Sequence, residues 1–170
     1  MTTHRSRTFG SLLCAAATAA SLLFFGMNAS LAVDGANTGY FGNVAILGYD
    51  PVAYFTDSRA TKGSPEITEK WLGATWYFSS TKHRDAFASQ PVRYAPQYGG
   101  FCTGGMALKE ASANIDPEAW RIVDGKLFLF SGKEGIEEDF DAAPAPVIAK
   151  ADAEWPGIEA KEFAARAGDN

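Results

Sequence analysis

The sequence predicts a small single domain of the α+β class, in which short β-hairpins pack on short helices. Two stretches support this class, "ITEKWLGATWYFS" at 67–79 and "RIVDGKLFLF" at 121–130, because each has two runs of strand-forming residues around a turn. We expect the first to turn near Leu72-Gly73 and the second at Asp124-Gly125, a dipeptide typical of tight hairpin turns. Helical segments between the hairpins complete the α+β pattern.

Local signals predict several short helices. The stretch 80–89 is expected to be a helix with Ser79 or Ser80 as its N-cap and with its end before a proline. Asp50 precedes a proline and is interpreted as the cap or turn that opens a short helix. The stretch "DPEAW" at 116–120 has proline at the first helical position, so it is predicted to be a one-turn helix.

The amino-terminal segment 1–32 has the pattern of a secretory signal peptide. Arg5 and Arg7 precede an apolar run at 12–27, and Ser30-Leu31-Ala32 supplies small residues at the positions that a signal peptidase reads. We therefore predict export and cleavage after Ala32. The apolar run is too short and too interrupted for a membrane anchor, so no membrane association is expected after cleavage.

The exported chain divides into three parts. Residues 33–44 are predicted to be a flexible leader, 45–142 the folded domain, and 143–170 a helical tail that packs back through Trp155. The exported chain is more acidic than the whole chain, whose net charge is −5, because cleavage removes two arginines and no acidic residue. Since it has no cluster of Lys and Arg, nucleic acid is excluded as a partner.

Few residues of the exported chain can carry chemistry. Cleavage leaves one cysteine, one histidine and one methionine, which are Cys102, His83 and Met106. Cys102 has no disulfide partner in its own chain, so it is expected to be buried, metal-bound, reactive, or linked to a second copy as a dimer. A thioredoxin-like couple within one chain is excluded. The sequence has no nucleophile elbow and no phosphate-binding loop, and it implies no organic cofactor.

The stretch "YGGFCTGGM" surrounds the cysteine with residues expected to shape a site: Tyr98, Gly99, Gly100, Gly104 and Gly105. The glycines allow close approach of the backbone, and Cys102 precedes a short helix whose N–H groups favour the thiolate. Met106 lies four residues further on, on the same helical face. Thiolate, thioether and imidazole together favour copper(I), with zinc as the alternative ion.

Three longer stretches resemble the exported YHS-domain proteins of bacteria: "GYDPVAYF", "GATWYFSSTKHRDAFASQPVRYAPQYGGFC" and "PEAWRIVDGKLFLF". The resemblance covers 45–156 and implies a YHS-like fold and a link to heavy-metal handling. The wider group has three cysteine ligands, and the matching positions here are Ala53, Ser79 and His83, of which only His83 can bind a metal. The exported branch has its own "YGGFC" segment. Its likeness to selenocysteine proteins implies a reactive chalcogen at Cys102.

These observations lead to one main hypothesis and two alternatives. The main hypothesis is a non-catalytic, periplasmic YHS-like protein that binds copper(I) or zinc through Cys102, His83 and Met106. Its role would be metal tolerance, buffering or delivery to a metal-handling protein. The first alternative is a thiol-dependent redox protein with Cys102 as nucleophile, which requires an exposed cysteine. The second alternative is a partner-binding module in which Cys102 only packs.

Overall fold

The computed structural model describes residues 35–38, 43–110 and 114–167. The predicted signal peptide at 1–32 lies outside them. The strands of this part of the chain form two antiparallel hairpins, β1 (Ser64–Trp71) with β2 (Ala74–Phe78) and β3 (Asp116–Val123) with β4 (Lys126–Phe130). Its α-helices are α1 (Ala53–Thr56), α2 (Thr81–Ser89), α3 (Pro91–Tyr94), α4 (Thr103–Ala107) and α5 (Pro144–Ala167). The α+β class predicted from the sequence is confirmed.

Shorter turns complete the connections. The segments Ala45–Gly48 and Gln97–Gly100 are 3-10 turns, and Ile136–Phe140 is a π-helical turn before α5. Tyr98, inside the second 3-10 turn, has a positive φ of 54°. A positive φ is costly for a bulky side chain and persists only where the surroundings hold it.

Both predicted hairpins are present, and both turns use residues with positive φ. The φ angles are 49° for Leu72 and 70° for Gly73 in the first turn. They are 51° for Asp124 and 73° for Gly125 in the second. Two-residue turns that match the twist of the strands require this conformation, and Gly and Asp adopt it with little strain. The turn positions predicted from the sequence are therefore confirmed.

The predicted one-turn helix at 116–120 is wrong, because these residues belong to β3. Asp116 pairs with Phe130 and Trp120 pairs with Leu129, with a register shift between the two pairs. The proline lies in this irregular part of the strand, which is where a residue without an N–H is tolerated. The long-range pairing with β4 outweighs a helix signal that rests on local sequence alone.

Helix α2 begins as predicted, with Ser80 as its N-cap. The Oγ atom of Ser80 accepts a hydrogen bond from the N–H of His83 at 3.2 Å. A serine in this position satisfies an N–H group that has no partner within the helix. The cap therefore fixes where α2 starts and which way its first turn faces.

Helix α5 spans 24 residues and contacts the domain through Trp155. The indole ring lies 6.1 Å from the ring of Tyr98 and 6.2 Å from that of Phe101, measured between centroids. None of the helices in the described ranges is both long enough and apolar enough to cross a membrane.

The buried side chains form two clusters that meet at β4. The first cluster includes Tyr54, Trp76, Phe78, Phe87 and Cys102. The second includes Tyr98, Phe101, Met106, Ile136 and Phe140. Successive side chains of a strand point to opposite faces. Accordingly, Leu127 and Leu129 join the first cluster, and Phe128 and Phe130 join the second.

Residues 35–37 lie within the stretch for which the sequence predicts a flexible leader, but they are buried. The N–H of Asn37 donates to the carbonyl of Gly99 at 2.6 Å, and its side-chain amide donates to that of Gly100 at 3.0 Å. Gly99 has a φ of 61°, and a Cβ there would collide with the carbonyl oxygen of Gly35. Glycine at this position therefore allows the close backbone contact that anchors the segment.

Candidate functional site

A buried carboxylate, Asp50, connects the turn before α1 to the end of β2 and the start of α2. Its side chain has no solvent exposure. The Oδ1 atom accepts hydrogen bonds from the N–H groups of Val52 at 2.9 Å and Ala53 at 3.4 Å. The Oδ2 atom accepts from the N–H of Ser79 at 2.8 Å and from its hydroxyl at 2.6 Å. Oδ2 also lies 2.7 Å from Nδ1 of His83. The predicted turn before a short helix is confirmed, since Oδ1 closes that turn and Val52 is the N-cap of α1. Oδ2 serves a second set of groups.

The local sequence explains why Ser79 and His83 meet at this carboxylate. Ser79 directly follows β2, and His83 lies in the first turn of α2, whose cap is Ser80. A spacing of four residues across a helix start brings the two side chains to the same side. Asp50 reaches them from a separate segment, 33 positions before His83.

The hydrogen bonds assign the tautomer of His83. A carboxylate can only accept hydrogen bonds, so Nδ1 carries the proton that it donates to Asp50. In the neutral ring Nε2 therefore keeps its lone pair. Nε2 lies 3.3 Å from Oγ1 of Thr56, an exposed residue whose hydroxyl is 2.9 Å from the carboxylate of Asp57. The open nitrogen faces oxygen atoms at the protein surface.

This arrangement can hold a metal ion or a proton at Nε2. Metal-binding histidines usually donate their other ring N–H to a carboxylate or carbonyl, which fixes the ring and raises its basicity. The side chain of His83 is 12% exposed, so the ring is close to solvent. Nucleophilic catalysis by Thr56 would need a hydroxyl committed to Nε2. That hydroxyl instead lies closer to Asp57, and it is 3.2 Å from the carbonyl of Val52.

Cys102 lies beside β4, at the start of α4. It forms an isolated bridge with Leu129, and its Sγ atom accepts a hydrogen bond from the N–H of Gly105 at 3.5 Å. The same atom is 3.6 Å from the hydroxyl of Ser131. Cys102 is only 5% exposed. This is the environment of a packing cysteine, and it limits the access that a nucleophile requires.

The three predicted ligands lie in three different settings. Met106 donates its backbone N–H to the carbonyl of Cys102 at 2.9 Å, but its fully buried side chain belongs to the second cluster and the cysteine to the first. His83 is held by Asp50 and Ser79. In the described part of the chain no three side chains of His, Cys, Asp or Glu are grouped so that they could hold a metal ion.

The residues predicted to shape a site at the cysteine serve several purposes. The hydroxyl of Tyr98 donates to the carboxylate of Asp152 at 2.9 Å, so this phenol faces α5. Gly99 and Gly100 accept the hydrogen bonds of Asn37. Gly105 supplies the N–H that contacts the thiol. Gly104 has open space around its missing Cβ and contributes only to α4.

Asp50 and Thr56 have no functional signal of their own in the sequence. An aspartate before a proline is typical of a turn, and a threonine at the end of a short helix is unremarkable. Three positions that the sequence analysis singled out, Ala53, Ser79 and His83, lie together in the structure. The N–H of Ala53, the hydroxyl of Ser79 and the ring of His83 all contact the carboxylate of Asp50.

No protein family, curated protein or solved structure matches the chain.

Proposed function

We propose that the chain is an exported, periplasmic YHS-like protein that binds a transition-metal ion at His83, for metal tolerance, buffering or delivery, without catalysis. The observation that carries the proposal is the 2.7 Å contact between Oδ2 of Asp50 and Nδ1 of His83. This contact leaves Nε2 as an oriented nitrogen ligand close to solvent. The resemblance to YHS proteins supports the same place, because the three positions that match their ligands surround Asp50.

The neighbours of Nε2 favour zinc or copper(II) as the bound ion. An imidazole nitrogen, the hydroxyl of Thr56 and the nearby carboxylate of Asp57 are nitrogen and oxygen donors, which both ions accept. A closed structural zinc site has four protein ligands. The smaller set available here would leave coordination positions for water or for a ligand from a metal-handling protein, which suits buffering and delivery.

Copper(I) would instead bind at a different place, the sulfur atoms of Cys102 and Met106. Thiolate and thioether are the soft donors that copper(I) prefers. The cysteine is almost completely buried and the methionine completely, so α4 would have to open before an ion could reach both sulfur atoms. We therefore rank His83 before Cys102 as the primary ligand.

Native mass spectrometry of the exported protein, titrated with Zn(II) and anaerobically with Cu(I), tests the proposal. The wild type and Cys102→Ser are expected to retain one zinc ion, and His83→Ala is expected to lose it. Asp50→Asn should weaken zinc binding by about 10–100-fold, because it removes the carboxylate that orients the ring. Circular dichroism of each variant establishes that loss of metal is not loss of fold.

Two results would contradict the assignment. If the wild type retained neither ion, the protein would not be a metal-binding protein of this kind. If metal were retained by His83→Ala and lost in Cys102→Ser, the site would lie at the thiol, and Met106→Leu would then test the thioether. Because cleavage after Ala32 removes His4, no second histidine can replace His83 in the exported form.

A further inference from the structure

A cleft of about 170 Å³ lies between the first hairpin, the 3-10 turn at Gln97–Gly100, and α5. Aromatic residues from all three elements line it, namely Trp71, Trp76, Tyr98 and Trp155. The rings of Trp71 and Trp76 are in contact, with centroids 5.9 Å apart, and those of Tyr98 and Trp155 are 6.1 Å apart. Two aromatic pairs from distant parts of the chain therefore line one opening.

The polar groups of two of these rings donate to acceptors of the protein itself. The indole N–H of Trp76 donates to the carbonyl of Trp71 at 2.9 Å, and the hydroxyl of Tyr98 donates to Asp152. These two rings consequently offer the cleft mainly their carbon surface and π-electrons. A ligand that requires many hydrogen bonds would lose them on entering such a lining.

One carboxylate, Glu159, lies at this lining, four residues after Trp155 on the same face of α5. Among the described residues it has no salt-bridge or hydrogen-bond partner, and the cleft lining contains no basic side chain. Burial raises the pKa of this carboxyl, as expected for a partly desolvated acid without a cation beside it. Within the described part of the chain, no cation therefore neutralises the negative charge of this carboxylate.

We propose that this cleft binds a small organic cation with a methylated ammonium group, held by the aromatic rings and by Glu159. The negative faces of aromatic rings attract cations, and indole is the strongest of them. A methylated ammonium has an apolar surface and no N–H group to satisfy, which matches a lining of rings with one acid. An apolar cavity of about 150 Å³ holds a benzene-sized molecule, so the volume suits a group of this size.

The test is a titration of the ¹⁵N-labelled protein with choline and, separately, with its neutral isostere 3,3-dimethylbutan-1-ol, followed by NMR. The chain has four tryptophans. Trp71, Trp76 and Trp155 line the cleft, whereas Trp120 packs on Tyr54 and is an internal control. Choline is expected to shift the three indole N–H signals in a saturable manner and to leave the fourth unchanged. The isostere should bind at least about fivefold more weakly, because it lacks the charge.

Matched variants assign the charge effect to one residue. Glu159→Gln should weaken choline binding about fivefold or more. Glu154→Gln, the same substitution on the same helix at a residue paired with Lys109 outside the cleft, should leave it unchanged. Trp155→Leu should abolish binding, and the Trp120 signal reports whether that variant still folds.

The proposal is overturned if choline gives no saturable shift, if it shifts Trp120 as strongly as the other three, or if the isostere binds equally well. It is also overturned if Glu159→Gln and Glu154→Gln have the same effect. None of these results depends on metal binding at His83, because no residue of that site lines the cleft.

Discussion

The Nδ1 atom of His83 lies 2.7 Å from Oδ2 of Asp50, although the two residues are 33 positions apart in the sequence. The same carboxylate accepts the N–H and the hydroxyl of Ser79. Because Asp50 is completely buried, its oxygen atoms depend on these donors in place of water. The contact therefore links α2 to the segment before α1 and also orients the imidazole.

We predict that Asp50 and His83 are energetically coupled. Asp50→Asn and His83→Ala should each destabilise the protein, since each leaves buried polar groups without their partners. The double variant should lose less stability than the sum of the single variants, by about 1–3 kcal/mol. Urea unfolding of the four proteins in the cycle measures this coupling.

Thr56→Val provides the control for that cycle. It removes the hydroxyl 3.3 Å from Nε2, but the residue is exposed and water can replace it. Its effect should add to that of Asp50→Asn within about 0.5 kcal/mol. A second cycle combines Thr56→Val with Asp50→Asn. If its coupling energy equalled that of Asp50 and His83, the buried contact would have no special role.

A second prediction concerns two glycines on either side of Cys102. Gly99→Ala should cost more than about 2 kcal/mol, because it combines a positive φ with a collision against the Gly35 carbonyl. Gly104→Ala should stabilise by about 0.5–1 kcal/mol, because Gly104 lies in α4 and its Cβ would meet nothing within 4 Å. Thermal unfolding of both variants checks that the two changes in stability have opposite signs. A loss of stability in Gly104→Ala would contradict the prediction for that glycine.

A third prediction concerns stability at alkaline pH. Burial raises the pKa of Tyr54 and Tyr98 above the ordinary value for tyrosine. The native state therefore keeps these protons where the unfolded state loses them, so stability is complete below pH about 10 and falls as the pH rises further. Each tyrosine contributes a slope of up to about 1.4 kcal/mol per pH unit. Urea unfolding between pH 9 and 12, about the range in which tyrosine titrates, measures this slope.

Phenylalanine variants separate the two tyrosines. Tyr54→Phe loses the hydrogen bond to the Pro117 carbonyl, and Tyr98→Phe loses the one to Asp152, at a cost of about 1 kcal/mol each at neutral pH. Each variant should show a shallower loss of stability with rising pH than the wild type. Unchanged slopes in both would mean that neither phenol stays protonated in the native state.

A fourth prediction concerns the unpaired acid of the aromatic cleft. The raised pKa of Glu159 means that its ionised form is less favourable in the native state than in the unfolded state. Stability is therefore highest below its ordinary pKa and falls as the pH rises through the raised value. Glu159→Gln should stabilise the protein at pH 7 by up to about 0.5 kcal/mol. The gain should vanish in acid, and a destabilised variant at pH 7 would contradict this reasoning.

The parts of the fold that depend on neighbouring residues could be predicted from the sequence. The turns at Leu72-Gly73 and Asp124-Gly125 and the cap at Ser80 each follow from a short local pattern. The strand at 116–120 could not be predicted in this way, because its conformation is decided by pairing with β4. The local pattern there, a proline after an aspartate, is equally typical of a helix start.

The candidate site was less accessible to sequence reasoning than the fold. His83 is conspicuous because the sequence has two histidines and the other, His4, lies in the predicted signal peptide. Its partner Asp50 lies in another segment, where the turn before α1 is a sufficient local explanation for an aspartate. The contact between them arises because the turn before α1 lies at the end of β2, where Asp50 accepts hydrogen bonds from Ser79. The spacing of Cys102 and Met106 indicates one short helix, and Cys102 is the N-cap of α4 while Met106 lies within it. The spacing does not indicate that their side chains join different clusters.

The five-residue strand β4 has a further consequence for how the domain can fold. Its leucines complete one cluster and its phenylalanines complete the other, so each cluster lacks one wall until β4 is in position. Neither half can be a stable intermediate by itself, and both should form in a single cooperative transition. A fragment that ends before β4 would lose both cores at once, so the first hairpin with its Asp50–His83 contact cannot be excised as an autonomous module.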